Sequence, residues 1–190
     1  LFVFSGCAKL ASAINDIKGS LIGNQYTIYT YDNFGNLVLE TSGKKIDIAG
    51  NPVKNTSYDE NGKVITGYEL SSVITITIDG NEIESCGDTC IFVQKGLTPD
   101  VDFTTETIQS SGSVLDITSL SAKLNKNKFG KARVVVIKSQ LGNPIMAFSG
   151  DSVYWEIPED LPKMTKLMID GKALYIHRAN FQIIDKELIE

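Results

Sequence analysis

The chain has 190 residues, 42% hydrophobic and 22% charged, with a formal net charge of -5. That size and apolar content suit one folded domain, with room for a second small one. The acidic balance argues against nucleic-acid binding, which calls for a basic face, and no segment after Cys7 approaches the ~20 apolar residues that a membrane-spanning helix needs.

The chain opens Leu1-Phe2-Val3-Phe4-Ser5-Gly6-Cys7. A short apolar run, two small residues and then a cysteine form the pattern of a signal-peptide end. Phe4-Ser5-Gly6-Cys7 resembles the lipobox of bacterial lipoproteins. The resemblance implies that residues 1–6 are the remnant of a signal peptide. It also implies that Cys7 is the lipid-attachment residue and first residue of the mature chain. Several acyl chains on one residue, at about 0.8 kcal/mol per buried methylene, anchor stably. The expected location is therefore the cell membrane, lipid-anchored and facing outside the cytoplasm. The competing reading makes Leu1 to Phe4 an internal strand and Cys7 a core thiol.

Residues 8–21 read as a short amphipathic helix, with Leu10, Ile14, Ile17 and Leu21 on one stripe. The stripe suits docking on the following domain or lying on a membrane. From Gly23 the texture turns to strands. Gln25 to Tyr31 and Leu37 to Thr41 flank the turn Asp32-Asn33-Phe34-Gly35-Asn36, a hairpin signal. Ile46 to Ala49 follows. Gly50 to Gly67 reads as a long polar surface loop with a short strand at Val64-Ile65. Next, Ile74, Ile76 and Ile78 alternate with Thr75 and Thr77, which predicts a half-buried strand, and Asp79-Gly80 supplies a tight turn.

Further strands are expected at Glu82 to Ser85, Cys90 to Gln94, Val101 to Ile108 and Ser113 to Leu120. The β-branched run Val134 to Ile137 predicts a central strand within Ala132 to Lys138. The basic cluster Lys123 to Lys131 reads as a solvated loop, with anionic lipid headgroups as the alternative contact. Ile145 to Phe148, Ser152 to Glu156, Thr165 to Ile169, Ala173 to His177 and Phe181 to Ile184 complete the set. About a dozen short strands predict a mainly β fold, an antiparallel β-barrel or β-sandwich with one short N-terminal helix. The expected division is 1–6, signal-peptide remnant; 7–23, lipidated N-terminus and helix; 24–190, a single β-rich domain.

The hairpin Tyr29-Thr30-Tyr31-Asp32-Asn33-Phe34-Gly35-Asn36-Leu37-Val38 resembles the strand-turn-strand segment of tubby-like and LURP-one-like proteins. That resemblance implies a twelve-stranded barrel around a central helix, in families some of whose members are linked to membrane lipids.

Chemistry is sparse. With Cys7 lipidated, Cys86 and Cys90 remain, and an exported protein can join them in a disulfide. Their spacing departs from the C-x-x-C redox motif, and only His177 and scattered carboxylates could complete a zinc site. A structural disulfide is therefore expected. His177, expected to share a face with Ala173 and Tyr175, reads as a surface or interstrand packing residue and not as a catalytic one. Asp32, Asn33 and Asn36 do not follow the calcium-loop pattern. No G-x-S-x-G elbow and no Gly-rich phosphate loop occurs. Tyr154, Trp155 and Glu156 place two aromatics beside a carboxylate, the one compact candidate for ligand contact. No catalytic residues, metal ligands or cofactors are assigned. The expectation is a noncatalytic envelope lipoprotein acting as a binding module, its partners the membrane and an envelope protein or glycan. The alternative is an envelope hydrolase acting on glycan or peptide through carboxylates.

Overall fold

The computed structural model describes residues 25–104, 132–158, 161 and 163–189. They form 13 strands in three antiparallel sheets and a short 3-10 turn, Lys186–Leu188. The expected strands at Ser113 to Leu120, the N-terminal helix, Cys7 and the basic cluster all lie outside the described residues. The chain separates into two compact units.

Among the described residues the larger unit comprises 25–42, 88–104, 132–157 and 164–189. Its six-stranded sheet runs in the order β10 (Val153–Glu156), β11 (Met164–Ile169), β12 (Lys172–His177), β6 (Thr89–Gln94), β1 (Tyr26–Tyr31), β2 (Leu37–Gly43). A four-stranded sheet runs β13 (Asn180–Asp185), β8 (Arg133–Lys138), β9 (Pro144–Gly150), β7 (Val101–Asp102). One core joins the two sheets: Tyr31, Ile91, Val93, Leu167, Ile169, Leu174 and Ile176 from the first meet Val135, Ile137, Met146 and Phe148 from the second. Alternation explains this membership, since Val135, Ile137 and Phe148 share one face while Val134, Val136 and Ala147 share the other. The second face is buried too, in a smaller cluster with Val101, Phe103 and Ile189. The expected central strand is thus β8, apolar on both sides. At β9 the register shifts beside Ile137, which turns both Ile145 and Met146 into the main core.

This arrangement is a sandwich. The barrel, expected as one of two forms and implied by the tubby-like resemblance, is corrected: no described sheet closes on itself, and β10 and β2 end the larger sheet as edges.

The smaller unit includes Gly43–Gly87, folded as β3 (Ile46–Tyr58), β4 (Val64–Ile78) and β5 (Asn81–Cys86) in that order. Ile46, Ile48, Ile74 and Ile76 on one face are fully buried. Asp47, Ala49, Thr75 and Thr77 face the other way, the half-buried alternation of a one-sided sheet. The loop expected over Gly50 to Gly67 is instead the outer half of a long hairpin: β3 continues to Tyr58, and the short strand expected at Val64-Ile65 is the start of β4, paired from Pro52↔Leu70 to Tyr58↔Val64. Its polar residues misled because neither face of this ribbon is buried, so no apolar alternation marks the strands.

The tight turns follow their chemistry. Asp79-Gly80 and Asp170-Gly171 join strands through two residues of positive φ, 50° and 90° in the first, 47° and 77° in the second. Such turns match strand twist, and Gly takes the left-handed conformation without strain.

Candidate edge cleft at Trp155

The short strand β10 pairs only with β11, from Val153↔Ile169 to Glu156↔Lys166, and is the edge of its sheet. β13 is likewise an edge, and it pairs with β8 in a register that sets Asp185 opposite Arg133. Arg133 uses this position twice. Its Nε donates to Asp185 Oδ1 at 3.0 Å, and its Nη1 donates to the Val153 carbonyl at 3.1 Å. The guanidinium therefore ties the four-stranded sheet to the edge of the six-stranded one. A cleft of about 330 Å³ opens there, lined by Arg133, Val153, Tyr154, Trp155, Ile183 and Asp185.

The backbone of β10 contributes as well. Asp170 N–H donates to the Ser152 carbonyl at 2.9 Å, so Ser152–Asp170 is a hydrogen-bonded pair. The antiparallel alternation then turns the N–H and C=O groups of Val153 and Trp155 toward the open side. Arg133 meets the first of these carbonyls. Trp155 is 58% exposed and Tyr154 is 49% exposed, unusual for residues that ordinarily seek cover.

Two of the three residues expected at a ligand contact, Tyr154 and Trp155, line the cleft. Glu156 does not line it: Lys166, its partner across the β10–β11 ladder, donates from Nζ to its Oε2 at 2.8 Å. Sequence reasoning missed Arg133, Ile183 and Asp185, which lie far from Trp155 along the chain and reach it only through sheet register.

The expected disulfide is corrected. Cys86 ends β5 and is exposed, Cys90 is buried in β6, and no disulfide joins them. Cys90 alternates with Ile91 and Val93 and turns to the face opposite theirs, where Thr30 Oγ1 lies 3.9 Å from its sulfur. The strand ladder fixes that direction. His177 is also fully buried, opposite Cys90 on β6 and Met164 on β11, on the face of Tyr175 as alternation requires. On that face Tyr175 meets Tyr26 edge to face, ring centres 6.2 Å apart, and burial raises the Tyr175 phenol pKa. Among the described residues, no group of three or more His, Cys, Asp or Glu side chains could hold a metal. No helix among them is long and apolar enough to cross a membrane.

The larger unit is thus an open antiparallel β-sandwich with an aromatic cleft at one edge. A model of the DUF5052 family, a domain of unknown function, matches residues 1–189, and the chain belongs to that family. No curated protein and no solved structure matches it.

Proposed function

We propose that this chain is a noncatalytic binding module of the cell envelope, anchored outside the cytoplasm by lipid on Cys7, which takes a saccharide in the Trp155 cleft. The observation that carries the reading is the exposed indole on an edge strand, beside the Arg133–Asp185 pair. Sugar recognition combines a flat apolar face with a few fixed polar groups, and the cleft offers both. Glycoside hydrolysis needs two carboxylates flanking one bond. Among the described residues Asp185 is the one carboxylate lining this cleft, and Arg133 holds it, a furnishing that favours holding a ligand over cutting it.

Trp155 is the only tryptophan in the chain, so fluorescence excited selectively at the indole reports on this cleft. Titration of the protein with neutral oligosaccharides of glucose and of N-acetylglucosamine is expected to shift the emission and shield it from acrylamide. Arg133→Ala should weaken that binding roughly tenfold or more, as loss of a charged hydrogen bond does. Emission and quenching unchanged across both series would sink the saccharide reading. The anchor is tested separately by intact mass of the protein from its native membrane. A lipid adduct on a chain beginning at Cys7 is expected, whereas an unprocessed, lipid-free chain would overturn the anchored location.

A further inference from the structure

The outer half of the β3–β4 hairpin carries an unguarded sheet edge. β5 pairs with β4 only from Val73 to Ile78. Beyond it, Val64 to Glu69 is exposed, and no described strand other than β3 pairs with it. The direction of its backbone groups follows from one bond. Asp59 N–H donates to the Lys63 carbonyl at 2.9 Å, so Asp59–Lys63 is a hydrogen-bonded pair. By alternation, Val64, Thr66 and Tyr68 aim their N–H and C=O groups away from β3.

Natural edges are usually blunted by proline, lysine or a short strand. The opposite edge of this ribbon is blunted in that way. On β3 the outward-facing positions include Pro52, which has no N–H, and Lys54. The β4 edge, Val64-Ile65-Thr66-Gly67-Tyr68, has neither and is uncharged.

We propose that this edge pairs with the same edge of a second copy of the chain, antiparallel, about a two-fold axis at Thr66. The register is selected by charge. With Thr66 opposite Thr66 of the second copy, the outward-facing groups of Val64 meet those of Tyr68 twice over. On the other face Ile65 lies against Gly67, and Lys63 stands opposite Glu69 at both ends. Moving the axis by one residue either way keeps the hydrogen bonding in phase but removes the Lys63–Glu69 match. The side-chain pairs are favourable kinds: Thr with Thr, aromatic with β-branched, and opposite charges. An isologous contact of this kind closes, and the guarded β3 edges stop further growth. The product is a dimer with a continuous four-stranded ribbon, β3-β4-β4-β3.

Sedimentation velocity of the full chain across a dilution series, in reducing buffer to silence Cys86, tests this. The unaltered chain should show a monomer–dimer equilibrium. Lys63→Glu and Glu69→Lys alone should each weaken it about tenfold, by setting like charges opposite at two places. An equal mixture of the two variants should restore the dimer, because each then supplies the charge that the other lacks. Thr66→Pro should abolish dimerisation while sparing the β3–β4 ladder, since the N–H it removes points away from β3. A chain that stays monomeric at every concentration overturns the proposal. So does a dimer indifferent to the single charge changes, or one that the mixture fails to restore.

Discussion

The β3–β4 hairpin holds two different physical situations in one ladder. Its base, from Ile46↔Ile78 to Gly50↔Ile74, buries four isoleucines on one face and has β5 beside it. Its arm, from Pro52↔Leu70 to Tyr58↔Val64, leaves nearly every residue exposed, including Tyr58, Val64, Ile65 and Tyr68. A shift in register between Gly50 and Pro52 divides them. There Asn51 and Thr75 exchange side-chain hydrogen bonds, and Ser71 turns its hydroxyl to the Val73 backbone. Both halves satisfy their inner backbone groups equally. Only the base removes apolar surface from water, and an unsupported two-stranded hairpin is marginal by itself. Backbone pairing defines the shape of this element, while burial decides which part of it contributes to global stability.

The sharpest way to break that contrast is to trim a β-branched side chain in each half. Ile76→Ala in the base should destabilise the fold by about 2–5 kcal/mol, the range for a large-to-small change in a packed interior. Thr66→Ala in the arm should change it by no more than about 0.5 kcal/mol. Urea unfolding followed by circular dichroism measures both. Equal losses would mean that the arm is folded cooperatively with the core, and the division into base and arm would fail.

The same contrast explains what could be read from the residues alone. Ile74, Ile76 and Ile78 announced their strand because burial on one face imposes a two-residue period. Val134 to Ile137 announced β8 because burial on both faces leaves a continuous apolar run. The arm gave no such signal. Exposure on both sides lifts the constraint on composition, and Pro52, Asn55, Ser57 and Gly62 then resemble a loop. Cys86 and Cys90 were close enough in sequence to suggest a bond, yet the direction of Cys90 is decided by its pairing with β1 and β12, which spacing does not encode. Only two of the six residues lining the cleft were legible, for a related reason. Trp155 and Tyr154 stand out by type, whereas Arg133 and Asp185 become partners only once β8 and β13 lie in register. The distinction between barrel and sandwich was equally hidden, because local strand patterns are shared by both and only long-range pairing leaves β10 and β2 as edges.

The smallest expected effect separates base from arm at their turns. Asp79, beside the base, accepts hydrogen bonds from the backbone N–H groups of Lys44 and Lys45, at 2.9 Å for the latter. Asp59, at the arm's tip, accepts comparable bonds from the N–H groups of Asn61 and Lys63. The Lys45 and Lys44 amides hold the Asp79 carboxyl below its ordinary pKa. A group whose pKa is lowered by folding stabilises the native state above its unfolded value, near 3.9. That contribution disappears as the pH falls through the lowered folded value. Asp79→Asn keeps the side chain's shape but never carries the charge. Its melting temperature should therefore lie below that of the unaltered chain near neutral pH, with the gap narrowing as the pH drops below about 4. Asp59→Asn should leave the melting temperature unchanged throughout, since the arm's tip lies beyond the cooperative base. A constant Asp79→Asn gap at all pH values would assign its effect to shape and not to charge, and a matching gap for Asp59→Asn would join the arm to the core.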